Sequence, residues 1–148
     1  MSLEELYRQV ILDHYRNPRG SGSIEHPDAH ADGYNPLCGD EVTIELMVDD
    51  GVIVKAAVRG RGCSISQASA SMLADTIVDR SLESVAVLTR QVKSMLDIED
   101  GDPGIDPERP GAVLGDLEAL AGVKQFPVRI KCADLPWTTL EEAIAAID

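Results

Sequence analysis

Cysteine is scarce in this chain: three residues out of 148, widely spaced at Cys38, Cys63 and Cys132. An odd number of isolated thiols excludes a disulfide framework and points to metal or thiol chemistry in a reducing compartment. Positive charge is scarce as well. Against 26 Asp and Glu stand 13 Lys and Arg, for a formal net charge of -13. Such a surface repels phosphate backbones and anionic lipid, which argues against nucleic acid or a membrane surface as partner. No run approaches the roughly 20 apolar residues of a membrane span. The first residues are acidic and amphipathic, not a basic stretch leading into an apolar one, so the expected location is the cytoplasm. Internal repeats and low-complexity tracts are absent. The length suits one domain, residues 1–148, large enough to bury a real core.

What is present centres on Asn35, Pro36, Leu37, Cys38, Gly39 and Asp40, which set a thiol and a carboxylate two residues apart on a loop. Cys63 follows Gly60, Arg61 and Gly62 and opens a helical pattern. Cys132 follows the short run Val128 to Lys131. Three thiols and one carboxylate supply the four donors of a tetrahedral site, and thiolates favour zinc or iron-sulfur chemistry over hard cations.

In chain order, Leu3, Leu6, Tyr7, Val10, Ile11 and His14 share one face of a helix over 2–17, ended by Asn17, Pro18, Arg19 and Gly20. Tyr7 and His14 read as core residues. Residues 18–31 read as a loop, and its His26 and His30 stay outside the site. From Glu41 the period changes to two. Val42, Ile44, Leu46 and Val48 alternate with Thr43, Glu45 and Met47, and Asp49, Asp50, Gly51 signals a hairpin into Val52–Val58. That hairpin returns Cys63 to the sheet end that carries Cys38 and Asp40. Ser64 and Gln67 read as a capping box, which puts Cys63 at a helix amino terminus, where the dipole favours a thiolate; a small buried hydrophobe is the competing reading.

A second helix starts at Ser81, with Val85, Leu88, Val92, Met95 and Leu96 inward. Residues 101–111 read as a mobile connection, and 114–122 as a short helix ended by Gly122. In the last segment Cys132 begins a turn, Trp137 is a packing anchor, and Thr138 with Glu141 caps a final helix. One helix, a hairpin and then several helices predict an α+β fold, a small antiparallel sheet with helices packed on one face.

These residues resemble a family. Leu6, Tyr7, Val10, Ile11, Asp13, His14, Tyr15, Pro18 and Arg19, then Asn35, Pro36, Cys38, Gly39 and Asp40, then Gly60, Gly62, Cys63, Ser64, Ile65 and Ser66, and finally Pro127, Arg129, Lys131 and Cys132 are similar to the U-type iron-sulfur cluster assembly proteins, the NifU N-terminal or IscU-like family. The resemblance covers nearly the whole chain. It implies an α+β sandwich, a metal site built from Cys38, Asp40, Cys63 and Cys132, and a cysteine desulfurase as partner. IscU-type scaffolds carry a His immediately before the last cysteine, where this chain has Lys131, and their connection around 94–115 is shorter. Both departures resemble the SufU branch. Lysine is protonated at neutral pH and does not then coordinate metal, which leaves the three cysteines and Asp40 as ligands.

The SufU-like resemblance implies bound zinc and a sulfurtransferase-like role: accepting persulfide sulfur from a SufS-like desulfurase and passing it to downstream SUF assembly proteins. Three thiolates and a carboxylate around zinc leave negative charge that Arg129, Lys131 and Arg61 are placed to offset; solvated surface cations are the alternative. Cys38, on a loop flanked by Gly and Pro, is the expected catalytic sulfur acceptor, because Cys63 is fixed at a helix start. A scaffold that builds a [2Fe-2S] cluster, or holds iron, on the same ligands is the second reading. A structural zinc module is the third, and an Asp ligand with donors scattered along the chain suits it poorly.

Overall fold

In a computed structural model, which describes residues 2–106 and 108–147, the chain runs α1 (Leu3–Arg16), β1 (Ala29–Asn35), β2 (Asp40–Asp49), β3 (Val52–Arg61), α2 (Ser64–Ile77), α3 (Leu82–Met95), a 3-10 helix (Gly115–Gln125) and α4 (Pro127–Ala145). The three strands form one antiparallel sheet in the order β1-β2-β3. Helices α2 and α4 lie against it. The expected α+β architecture is therefore present.

The β2–β3 hairpin follows from local chemistry. Asp50 and Gly51 sit at φ +51° and +74°, the pair of positive angles that matches a tight turn to strand twist. Inward positions of β2 alternate as read: Val42, Ile44 and Leu46 are buried, and Ile53, Ala56 and Val58 of β3 join them. These pack on Met72, Leu73 and Ile77 of α2 and on Trp137 and Leu140 of α4 in one continuous apolar cluster.

Residues 18–31 are not loop throughout. Ala29–Asn35 pairs with β2 from Ala29 opposite Leu46 to Asn35 opposite Asp40. Its sequence, AHADGYN, has little strand propensity, and its inward side carries only small residues because α4 passes close by: a Cβ on Gly33 would collide with Thr139. Pairing and burial override propensity there.

The carboxyl-terminal segment also differs from the expectation. Cys132 does not begin a turn, and Thr138 does not cap a helix. One helix runs from Pro127, with proline at its first position, through Pro136 to Ala145. Pro136 lacks the N–H that would bond the Cys132 carbonyl, yet the helix continues because Cys132, Ala133, Trp137 and Leu140 on either side are wholly buried. Thr138 donates to Asp134 and accepts from Lys93.

Two smaller boundaries shift as well. The helix expected to stop at Gly122 is a 3-10 helix that continues to Gln125. The amino-terminal cap of α2 is Cys63 itself, whose sulfur accepts from the Ser66 N–H. Within the 101–111 connection no regular helix or strand occurs among the described residues. The buried Glu118 carboxylate gathers its far end, accepting from the N–H groups of Gly111, Val113 and Leu114 at 2.8 to 3.0 Å.

Candidate metal centre

Cys38 reaches the site from the β1–β2 loop, Asp40 from the first residue of β2, Cys63 from the junction of β3 and α2, and Cys132 from the second turn of α4. The loop turns on Gly39, at φ +72°. Ligand atoms of Cys38, Asp40 and Cys132 all lie within 4.8 Å of one another, and the sulfurs of Cys132 and Cys38 are 3.3 Å apart. Thiolates about 2.3 Å from a tetrahedral zinc stand about 3.8 Å from each other. The cluster therefore has the scale of a metal site.

Cys63 lies beside this trio. Its backbone N–H donates to Asp40 Oδ1 at 2.8 Å, while its sulfur turns to the Ser66 N–H at 3.5 Å. Gly62 is required there: at φ +150° with a Cβ it would run into the Asp40 carboxylate. Gln67 steadies the same junction when its amide is assigned with the oxygen towards the N–H groups of Arg61 and Gly62, 3.0 and 3.1 Å away.

Asp40 and Cys132 are wholly buried; Cys38 and Cys63 are partly exposed. Burial raises the pKa of Asp40, but the Cys63 N–H and hydrogen bonds from Cys132, Ser66 and Cys63 outweigh it, and the net direction is down. Burial pushes the Cys132 thiol far up, and its hydrogen bonds to Asp40, Cys38 and Cys63 add to that. Without a cation Asp40 stays ionised and Cys132 stays protonated. A bound dication would supply the charge that lets the thiols ionise, so the donor set fits a soft divalent metal.

The cations expected nearby separate into three cases. Arg129 lies against Cys63 and Cys132, and the negative charge of Cys63 leads the effects that raise its pKa. Arg61 is exposed and pairs with Glu41 at 2.9 Å, as a surface cation does. Lys131 is exposed, and no ion pair among the described residues includes it. His26 and His30 are both exposed, and the metal-type cluster found among the described residues includes neither. His14 is buried between Ser71 Oγ and Asp116 Oδ2, each at 2.8 Å, as a core histidine.

Asn35 and Ser66, both buried polar residues, touch candidate ligands without having been expected at the site. Their signal in the sequence is faint: each sits three residues from a cysteine.

Fold and site together define an α+β protein with a candidate thiol-carboxylate metal centre at one end of its sheet. The NifU-like N terminal domain model matches residues 6–145, and the chain belongs to that family. Among curated relatives, the zinc-dependent sulfurtransferase SufU of Bacillus subtilis is 41% identical over 97% of this chain and 92% of its own length. The iron-sulfur cluster assembly scaffold protein IscU of Thermotoga maritima is 33% identical over 99% of this chain and 98% of its own. A crystal structure of a SUF-system scaffold candidate from Fervidobacterium islandicum superposes with a TM-score of 0.82 at 31% identity, covering 97% of this chain and 99% of that one. A NifU-like amino-terminal domain from Brucella abortus reaches the same TM-score at 23% identity, which speaks for the fold alone.

Proposed function

We propose that this protein is a zinc-dependent sulfur acceptor of SUF iron-sulfur cluster assembly, which takes persulfide sulfur from a SufS-like cysteine desulfurase in the cytoplasm and passes it to downstream assembly proteins. The observation that carries this reading is the convergence of Cys38, Asp40 and Cys132 within 4.8 Å, with Cys38 on an accessible loop and the other two buried. The SufU relative, matched over nearly the whole chain, supports the choice of metal and of role. Cys63 completes the proposed ligand set from its place beside Asp40, with Arg129 and Lys131 as supporting cations. Bound zinc would hold the thiols ionised and join the loop, the sheet end and α4.

The chemistry asked of the chain is one exchange. The Cys38 thiolate attacks the terminal sulfur of the desulfurase persulfide; a new S–S bond forms at Cys38, the bond to the desulfurase cysteine breaks, and that cysteine leaves as thiolate. No proton or outside electron is needed. Leu37, 65% exposed beside Cys38, shows how far the loop stands out of the surface. Asp40 and Cys132 remain as a fixed platform that positions the freed thiolate.

The scaffold reading draws on the same donors and on the IscU relatives. Lys131 favours the acceptor reading, since it offers no imidazole ligand at that position. Brief incubation of the zinc form with desulfurase and cysteine, followed by mass spectrometry, tests the assignment. A persulfide on Cys38, abolished by Cys38→Ser, is expected. A persulfide found only on Cys63 or Cys132 would overturn it, and iron-sulfur absorption after reconstitution without sulfur uptake would favour the scaffold.

A further inference from the structure

Asn35 is the last residue of β1 and Asp40 the first of β2, and they pair directly across the ladder. Pro36 to Gly39 therefore form a loop whose two posts are Asn35 and Asp40, and Cys38 stands on that loop. Asn35 is only 5% exposed. Its main-chain carbonyl accepts from the Gly39 N–H at 2.9 Å, and its Oδ1 accepts from the Leu37 N–H at 3.2 Å, which closes an Asx turn. The other end of the amide faces the opposite way. Nδ2 donates to Asp40 Oδ2 at 3.4 Å and to Cys132 Sγ at 3.8 Å. An ionised carboxylate only accepts, so the amide nitrogen must face Asp40 and the amide oxygen Leu37.

We propose that Asn35 is the positioning residue that lets Cys38 move while Asp40 and Cys132 stay, one end of its amide setting the turn that carries Cys38 and the other holding the two buried ligands. The inference rests on the reading of this site as a metal centre with Cys38 as its exchanging ligand. An exchange loop needs a pivot that does not travel with it. Asn35 meets that need because it is anchored in the sheet by its pairing with Asp40 and spends its N–H donors on groups outside the loop. Those donors also face two ligands that carry negative charge when metal is bound, and donors placed behind metal ligands orient them and strengthen the site.

A purely local role in shaping the turn would make a different prediction. Aspartate at this position keeps the Asx-turn acceptor for the Leu37 N–H but replaces the donor by a charge facing Asp40 and Cys132. If Asn35 only shapes the turn, Asn35→Asp leaves the metal centre as it was. The inference expects zinc affinity, measured on the full chain by competition with a chromophoric chelator, to fall about tenfold or more in both Asn35→Asp and Asn35→Ala. It also expects the thiolate-to-metal charge-transfer band of the cobalt-substituted protein to shift in both variants.

Zinc binding by Asn35→Asp within about twofold of the wild type, with an unshifted cobalt band, would overturn it. Should both variants fail to fold, the wild type decides. In the cadmium-113 form, scalar coupling between the metal and the Asn35 side-chain amide protons through the Cys132 sulfur is expected, and its absence would overturn the inference. These readouts need no desulfurase. Wild-type protein that takes no sulfur sinks the acceptor reading, while zinc binding unchanged in Asn35→Asp sinks only the role of Asn35.

Discussion

Asp40 does two separable jobs. Its charge faces the three thiols, and its Oδ1 satisfies the N–H of Cys63 at the head of α2. Asp40→Asn keeps an acceptor for that N–H and removes the charge; Asp40→Ala removes both, and each variant loses the Oδ2 that accepts from Asn35 Nδ2. Zinc affinity is expected to drop about tenfold or more in each variant. Asp40→Ala is expected to destabilise the metal-free fold further than Asp40→Asn does, by about 1–3 kcal/mol, because it alone strands the Cys63 donor. Chelator competition and melting of the metal-free proteins check the two effects independently. Equal metal-free stability of the Asn and Ala variants would show that the Cys63 N–H does not depend on Asp40. At this scale the sequence was generous with chemistry and silent on support. The thiols and the carboxylate stood out by type, whereas an asparagine or a serine earns notice only when a fold points it at a ligand.

Among the elements, the joint between α3 and α4 depends on Lys93. It is 7% exposed, and its ammonium contacts Asp134 at 3.2 Å, Glu141 at 2.8 Å and the Thr138 hydroxyl at 2.9 Å. Burial lowers its pKa, but the hydrogen bond to Glu141 and the charges of Asp134 and Glu141 prevail, and the net direction is up. A lysine whose folded pKa lies above its unfolded value of about 10.4 stabilises the fold fully below that pH and loses the contribution as pH rises through the folded pKa. Lys93→Met is expected to cost about 1–3 kcal/mol at pH 7, since it leaves Asp134 inside without its cation. The gap to wild type should hold to about pH 10 and narrow above it. Urea unfolding of both metal-free proteins at pH 7, 9 and 11 measures this; a gap unchanged at pH 11 would show that the ammonium charge is not its source. Helices α2 and α4 are joined differently, by Trp137 Nε1 donating to Ser69 Oγ at 3.2 Å and that hydroxyl donating to the Ala133 carbonyl at 2.6 Å.

For the molecule as a whole, the proposed metal centre would tie together parts of the chain 94 residues apart, from Cys38 to Cys132. A ligand that binds the folded state and not the unfolded chain adds its binding free energy to stability. Chelation with zinc loss confirmed is therefore expected to lower the melting temperature by at least about 5 °C. Calorimetry of the zinc-loaded and stripped protein checks it, and equal transitions would place the metal outside the folding equilibrium. No helix among the described residues is long and apolar enough to cross a membrane, and the acidic balance of the chain leaves Arg129 as a cation set directly against the site thiols.

The sequence by itself determined the β2–β3 hairpin, the three amphipathic helices of the first hundred residues and the four candidate ligands, because each is written in local periodicity, turn chemistry or residue type. It also determined the sheet end to which the hairpin returns Cys63. Tertiary structure alone decided that Ala29–Asn35 is a strand, since small and polar residues become one only where a neighbour pairs with them and a helix covers them. It likewise decided that helix α4 runs through Pro136, where burial on both sides outweighs one lost hydrogen bond, and so carried Cys132 from an expected turn into a helix. The placement of Asn35 Nδ2 between Asp40 and Cys132 belongs to the same class. Contacts between residues distant in sequence depend on how whole elements pack, and no local pattern records them.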